Sequence, residues 1–295
     1  MKPRQLFLLL ICGAIFGSSY VLVKEAIGPL GAVGLAAVRT AIGTLVLALV
    51  CRIRRVGPSG VAVRHTVVLG ILSATIPYTF LSLSTQLTNA GTASVVNSTV
   101  PVFTLVIAIG LGLARPTGRS WWGLGISLLG VATVAQQRQP HLTPGFFMGI
   151  LAGLIGSASF AYSAIYARKY FSGAPILRVA LSQQLVSVIT LLPFTLLFRP
   201  TAVPSGSQLL VLIALGVIST ALAQVLFFWL ISELGAVRTS YVTYLVPLFG
   251  VLWGWLFLGE PVSMISYIGM IFVMIGLWLL LTPKTELKVI SLRTG

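Results

Sequence analysis

Residues 90–103 read AGTASVVNSTVPVF, and residues 236–249 read AVRTSYVTYLVPLF. The two segments lie 146 residues apart and share an alanine, a serine and the final Val-Pro-x-Phe at matching positions. At the same separation, Leu69-Gly70 matches Leu215-Gly216, and the glycine pair 123 and 130 matches the pair 269 and 276. Matches of proline and of paired glycines are rare by chance. We therefore predict two tandem repeats at residues 1–138 and 139–283, followed by a tail at 284–295.

The composition is that of a chain whose main solvent is lipid. Hydrophobic residues make up 57% of the 295 residues, charged residues only 8%, and the mean hydropathy is +1.03. Soluble domains carry about 25% charged residues, and a membrane-spanning helix needs about 20 mostly apolar ones. We predict an all-α membrane protein with ten transmembrane helices. The predicted spans are 5–24, 32–51, 66–85, 92–113, 119–136, 145–167, 177–198, 208–230, 238–258 and 263–281.

The positive charges predict the orientation of the chain. With ten spans and a cytoplasmic N-terminus, 15 of the 19 Lys and Arg residues fall on the cytoplasmic side, and only Lys24, Arg39, Arg138 and Arg199 fall outside. Cytoplasmic loops of membrane proteins carry such an excess. We expect a multi-pass inner-membrane protein with both termini in the cytoplasm. The positive residues are scattered between apolar runs, so the net charge of +15 does not indicate nucleic-acid binding.

Five spans per repeat have a topological consequence. An odd number makes the second repeat enter the membrane from the opposite side, so the two repeats are inverted. Inverted repeats are typical of transporters that hold the substrate near the membrane midplane, in a cavity between the halves. The sequence therefore predicts two inverted five-helix repeats around a central cavity, working by alternating access.

Several motifs resemble a known family. The first span, Gly13-Ala-Ile-Phe-Gly-Ser-Ser-Tyr-Val-Leu-Val-Lys24, resembles the opening of EamA-type transporters of the drug/metabolite transporter superfamily, with phenylalanine where tryptophan is usual. Leu35-Ala-Ala-Val-Arg39 resembles the early arginine of the family's second span. Val246-Pro247 and Gly259-Glu260 resemble its penultimate helix, whereas the first repeat has Leu113-Ala114-Arg115 at the place of Gly-Glu. The resemblance extends to about residue 282.

This resemblance implies an exporter of amino acids, including aromatic ones, or of other metabolites and drugs. It also implies a cavity lined by spans 1, 3, 4, 6, 8 and 9, with spans 5 and 10 at the periphery. Polar side chains on the lining spans are our candidate substrate-binding residues. They are Tyr78, Ser94, Asn97, Tyr162, Gln224, Tyr241, Thr243 and Tyr244. The alternative role for the hydroxyl residues, which we prefer for Ser94 and its repeat partner Ser240, is hydrogen bonding between packed helices.

Prolines and charges within the spans are the other candidates. Pro101 and Pro247 recur in both repeats and are predicted hinges, because proline removes a backbone hydrogen bond inside a helix. Lys24, Arg39 and Glu260 are predicted structural or gating charges. For Arg39 the preferred interpretation is an arginine that extends to the outer interface or binds Glu25 or helix ends, and the alternative is attraction of a substrate carboxylate.

The sequence predicts no catalytic site, no metal site and no cofactor. It contains no Asp and only four Glu, none of them at mid-depth in a predicted span. This favours facilitated diffusion or exchange over proton coupling and argues against strongly cationic substrates. We predict export of small neutral or zwitterionic metabolites, with amino acids as the leading class. A multidrug or cation exporter, a channel and a non-transporting scaffold are the alternatives. Expected partners are a small-molecule substrate and the lipid bilayer; a monomer is favoured and a dimer stays open.

Overall fold

The computed structural model describes residues 3–135, 143–198, 201–258 and 264–281, and within these ranges the chain is helical with no strand. The helices are α1 Pro3–Ile53, α2 Val63–Gly70, α3 Ile76–Leu87, α4 Ala90–Asn97, α5 Val100–Gly110, α6 Gly118–Ala135, α7 Pro144–Tyr170, α8 Ile176–Leu197, α9 Gly206–Gly216, α10 Ala223–Leu234, α11 Ala236–Ser240, α12 Val242–Leu258 and α13 Met264–Leu281. Two π-helical segments, Ile71–Thr75 and Val217–Leu222, join α2 to α3 and α9 to α10.

Every predicted span overlaps helix in the structure. Among the described residues, six helical stretches are long and apolar enough to cross a membrane: 3–53, 63–87, 90–110, 144–170, 176–197 and 206–234. The first covers two predicted spans, because α1 bends at Gly31, whose φ of 63° and ψ of 178° are not helical. That φ suits glycine because it has no side chain to clash with the backbone. The chain is thus an all-helical membrane protein.

Basic segments that are distant in the sequence meet at one end of the molecule. Arg178, at the start of α8, donates to the carbonyl oxygens of Val56 (2.7 Å) and Gly57 (3.0 Å), just beyond the end of α1. Arg168, near the end of α7, donates to the Ser232 carbonyl oxygen at 2.6 Å. At the opposite end, the Thr201 N–H donates to the Pro29 carbonyl oxygen at 2.9 Å, beside the bend of α1.

Two glycines bring helices of one predicted repeat against helices of the other. A Cβ atom on Gly70 of α2 would lie 2.5 Å from Val186 Cβ on α8, and one on Gly216 of α9 would lie 2.5 Å from Ile42 Cβ on α1. Both distances are far inside van der Waals contact, so only glycine permits these approaches. Each glycine directly precedes a π-helical segment. The same local structure therefore occurs at matching positions of the two predicted repeats.

The peripheral helices α6 and α13 pack mainly on each other, again through glycines. A Cβ on Gly130 would lie 2.6 Å from the Gly269 carbonyl oxygen, and one on Gly123 would lie 3.1 Å from the Gly276 carbonyl oxygen. These glycines thus permit close packing of α6 against α13. Gly125 lies on the same helix but is exposed, with nothing within 4 Å of a Cβ there.

Gly130→Ala should lower the thermal unfolding midpoint of the purified protein, whereas Gly125→Ala, where the methyl group meets nothing and alanine favours the helix, should not lower it. The new methyl group at position 130 meets backbone atoms that cannot rotate away, and overpacking of this kind costs about 1–3 kcal/mol. Thermal unfolding in detergent measures both variants against the unmodified protein. Equal midpoints for the two variants would contradict the packing described here.

Candidate functional site

A cavity of about 50 Å³, partly open to solvent, lies among α1, α3, α4, α7 and α12. Its lining residues are Phe16, Ser19, Tyr20, Val23, Arg39, Pro77, Tyr78, Leu81, Ser82, Thr85, Asn97, Phe160 and Thr243. They come from both predicted repeats. Together they form a mostly apolar pocket with a few polar groups, which is the usual composition of a small-molecule site.

Two helices supply most of the wall, each through a single face. Four lining residues of α1 lie at positions 16, 19, 20 and 23, and four of α3 at 78, 81, 82 and 85; Arg39 and Pro77 are the remaining lining residues of these helices. Both sets follow the spacing i, i+3, i+4, i+7, which places side chains on one side of an α-helix. The hydroxyls of Ser82 and Thr85 thus face the same space as the ring of Tyr78.

Phenylalanine rings form the apolar side of the cavity. Phe16 on α1 meets Phe160 on α7 edge to face, with ring centroids 6.2 Å apart. Phe227 on α10 stacks on Phe160 at 4.7 Å behind the wall. Ring pairs at these distances are stabilising in both geometries, so the wall is held by packing among three helices.

Arg39 brings a positive charge into the cavity. Its side chain is only 4% exposed. Nε donates to Thr220 Oγ1 (3.0 Å), and Nη2 lies 3.3 Å from both Ser19 Oγ and the Ser219 carbonyl oxygen. The guanidinium also lies over the ring of Tyr78, 4.1 Å from its centroid. The interpretation of Arg39 as a residue that extends to the outer interface is therefore wrong, because its partners lie inside the helix bundle.

Tyr78 is also the centre of a buried amide cluster. Its hydroxyl oxygen accepts from Gln224 Nε2 at 2.7 Å and from Gln184 Nε2 at 3.4 Å. Both glutamines are fully buried. Tyr78 and Gln224 occupy matching positions of the two sequence repeats, so equivalent residues of the two halves bind each other beside the cavity.

Three lining side chains have buried polar atoms that find no hydrogen-bond partner in the part of the chain that the structure describes. They are the Tyr20 hydroxyl, Ser82 Oγ and Asn97 Oδ1. A buried polar group without a partner is costly, and most such groups in proteins are satisfied by protein or water. In a cavity the partner can be water or a bound molecule.

The predicted binding residues fall into two groups. Tyr78, Asn97 and Thr243 line the cavity, and Gln224 binds Tyr78 directly. Ser94, Tyr241 and Tyr244 are buried but are not among the lining residues. Ser94 Oγ donates to the Gly91 carbonyl oxygen of its own helix at 2.7 Å. Both tyrosine hydroxyls lack a partner among the described residues.

Tyr162 lies elsewhere. It is 39% exposed on α7, and its ring centroid is 6.2 Å from that of Tyr166, in a row that continues to Tyr170 at the basic end. In that row His65 Nδ1 lies 2.6 Å from the Tyr166 hydroxyl. The structure thus places Tyr162 outside the cavity.

The predicted hinges differ in their surroundings. Pro101 is the second residue of α5, directly after the break at Ser98–Thr99, so the first turn of the helix accommodates it. Pro247 lies inside α12, six residues after the break at Tyr241. Of the predicted charges, Lys24 is exposed and Glu260 lies outside the described residues.

Sequence reasoning missed several lining residues. Ser19, Tyr20, Ser82 and Thr85 were not predicted, and neither were the two phenylalanines of the wall. The signal was present for α3, because Ser82 and Thr85 follow Tyr78 at helical spacing.

Within the described residues, no three His, Cys, Asp or Glu side chains come together as metal ligands would.

Tyr78→Phe should lower the thermal unfolding midpoint, because it leaves two buried amide donors without an acceptor. Such a loss costs about 1–3 kcal/mol. Adding Gln224→Leu to Tyr78→Phe should recover part of the loss, since replacing both partners by apolar groups is nearly neutral. Tyr267→Phe, at an exposed tyrosine, is the matched control. Strictly additive effects of the two changes would show that the residues do not interact.

Comparison with known proteins gives a consistent family. The model of the EamA-like transporter family matches residues 4–136 and again residues 147–282. "Uncharacterized transporter YoaV" of Bacillus subtilis is 22% identical over 271 residues, covering 90% of this chain and 92% of that protein. "Uncharacterized inner membrane transporter YedA" of Escherichia coli is 27% identical over 281 residues, covering 92% and 89%. A solved crystal structure, 18% identical, superposes with a TM-score of 0.80 over 95% of this chain and 96% of the other. The chain belongs to the EamA-like transporter family.

Proposed function

We propose that this transporter exports small neutral or zwitterionic metabolites across the inner membrane, with amino acids as the leading class. It does so by alternating access between two inverted five-helix repeats, each crossing the membrane five times. Substrate enters the cavity beside Arg39, Tyr78 and Asn97 and leaves on the opposite side. The protein acts without a cofactor, and a single chain contains the whole path.

The hydrogen bond between Tyr78 and Gln224 is the observation that carries this proposal. Residues related by a two-fold axis lie at equal distances from that axis, so an equivalent pair in direct contact lies at the axis itself. The 2.7 Å bond therefore supports an axis that passes beside the cavity. A cavity on the axis between inverted repeats is the arrangement that allows access from either side in turn.

Two contacts at the basic end support the inversion. α1 begins at this end, where Arg4 lies 5.3 Å from the ring centroid of Trp229 on α10, whereas its counterpart α7 ends there through Arg168. The second arm of α1 ends there at Ile53, whereas its counterpart α8 begins there at Arg178. Counterpart helices thus run in opposite directions. The concentration of arginine supports a cytoplasmic location for this end.

The charges of the cavity support the substrate class and the driving force. Of the carboxylates that the structure describes, Glu25 and Glu233 are both exposed near helix ends. A proton-coupled carrier, or one for organic cations, needs an ionisable acid near its substrate. Facilitated diffusion or exchange of molecules that are not cations fits the described residues better.

The topology can be tested with single cysteines in a variant lacking Cys12 and Cys51. Gly57→Cys and Ser172→Cys, at the basic end, should react with a membrane-impermeant maleimide only after the cells are opened. Ala202→Cys, at the other end, should react in spheroplasts. Labelling of all three positions from one side would contradict the proposed orientation.

Transport can be tested by counterflow in proteoliposomes. A carrier gives saturable flux that is driven by substrate on the other side, a channel gives flux that does not saturate, and a scaffold gives none. Tyr78→Ala and Asn97→Ala should each reduce flux roughly tenfold or more, because each removes a polar contact of the substrate. Tyr267→Ala, on an exposed face, is the matched control. Unchanged kinetics in both cavity variants would remove these residues from the path.

A further inference from the structure

The charge of Arg39 is not balanced within the described residues. The side chain is only 4% exposed, and no carboxylate of the described residues contacts it. A buried ion in a membrane protein is costly unless it is paired or lies against a polar cavity. Arg39 lines the cavity, so an anionic group bound there would be its natural counter-ion.

Part of the guanidinium is free to bind such a group. Nε and Nη2 are used by Thr220, Ser19 and the Ser219 carbonyl oxygen, whereas Nη1 makes no hydrogen bond within the described residues. The guanidinium has five N–H donors in one plane, and its edges match the two oxygens of a carboxylate. The Nη1 donors therefore have the chemistry of an anion subsite.

Helix packing alone does not require this charge. On α8, Gln183 occupies the place that Arg39 occupies on α1. The backbone carbonyl oxygen of Gln183 faces Gly70, and the backbone carbonyl oxygen of Arg39 faces Gly216 in the same way. Gln183 accepts a 2.7 Å hydrogen bond from Ser73, beside the first π-helical segment. A neutral side chain is thus sufficient at the equivalent contact between α2 and α8, so close helix packing by itself does not explain the charge of Arg39.

Asn97 offers a second, complementary group in the same cavity. Its side chain is 6% exposed, and Oδ1 has no partner among the described residues. An amide oxygen only accepts, so it needs an ammonium or hydroxyl group from a bound molecule or from water. The same cavity also has apolar lining residues, among them Val23, Leu81 and Phe160.

We propose, on the basis of the transport function proposed above, that Arg39 binds the carboxylate of the substrate and that Asn97 Oδ1 accepts from a donor elsewhere on the same molecule. The substrates are α-amino or α-hydroxy acids with an apolar side chain. The charged anchor comes from one repeat only, so each substrate molecule contributes one carboxylate. Organic cations and simple amines lack the group that Arg39 needs.

Compounds that differ in one group test this assignment. The probes are L-phenylalanine, 3-phenylpropionate, L-phenylalaninamide and 2-phenylethylamine, together with the corresponding series built on L-leucine. Binding to the purified protein is measured by ligand-induced thermal stabilisation and by calorimetry. Both acids of at least one series should bind at least about tenfold more tightly than its amide and amine, since the latter pair cannot supply a carboxylate.

Variants separate the two contacts. Arg39→Gln should weaken binding of both acids at least about tenfold, whereas Arg39→Lys, which keeps the charge, should retain part of the preference for acids. Asn97→Ala should weaken binding of the amino acid and leave the deaminated acid unaffected. Arg54→Gln removes an exposed arginine outside the cavity and is the charge-matched control.

The outcomes distinguish this inference from the proposed function. Equal binding of acids and amines, no binding of any acid, or full acid affinity in Arg39→Gln would overturn the carboxylate site. If Arg39→Gln does not fold, the selectivity of the unmodified protein and of Asn97→Ala decides the question. Acid binding without saturable counterflow would leave the site standing and contradict the carrier. Saturable flux of the amines with no preference for acids would support the carrier and overturn the site.

Discussion

The hydrogen bonding of the buried Arg39 guanidinium is the interaction on which the centre of this protein depends. A charge that lipid cannot solvate needs acceptors at fixed positions, and the second π-helical segment supplies two of them, Thr220 Oγ1 and the Ser219 carbonyl oxygen. A π-helical turn interrupts the regular i→i−4 ladder, and such turns are frequent at functional sites. Gly216 sets the distance, because it lets α9 approach α1 closely enough for these bonds. Gly216, the second π-helical segment and the buried Arg39 charge therefore depend on one another.

The sequence predicted helix positions well because the lipid environment imposes a strong pattern of apolar runs. It also predicted Tyr78, Asn97, Thr243 and Gln224 as cavity residues, since polar residues at matching positions of a repeat point to a shared interior. The first three line the cavity, and Gln224 binds Tyr78 behind it. It placed Tyr162 wrongly with respect to the cavity. A tyrosine is equally at home inside a bundle and at the membrane interface, so residue type alone cannot choose the face of a helix.

The relation between Arg39 and Gln183 shows why part of the site could not be predicted. At the constant separation of 146 residues, Arg39 aligns with Leu185, and the polar counterpart two residues earlier goes unnoticed. Only the packing of Gly70 on Gln183 and of Gly216 on Arg39 reveals the pairing. The cavity is therefore lined by helices of both predicted repeats, but the charged lining residue Arg39 comes from the first repeat. With its charge on one side only, the cavity suits one bound anion rather than two.

The glycine contacts also limit how the cavity can open. Gly70 holds α2 against α8, and Gly216 holds α9 against α1, so each contact joins helices of different sequence repeats. Separating either pair would expose the close-packed backbone and, at Arg39, a buried charge without its acceptors. The aromatic contact between Phe16 and Phe160 has no such cost, because side chains can rotate and repack. We therefore expect alternating access to change the aromatic wall and to preserve the two glycine contacts, so that the rigid bodies contain helices from both repeats.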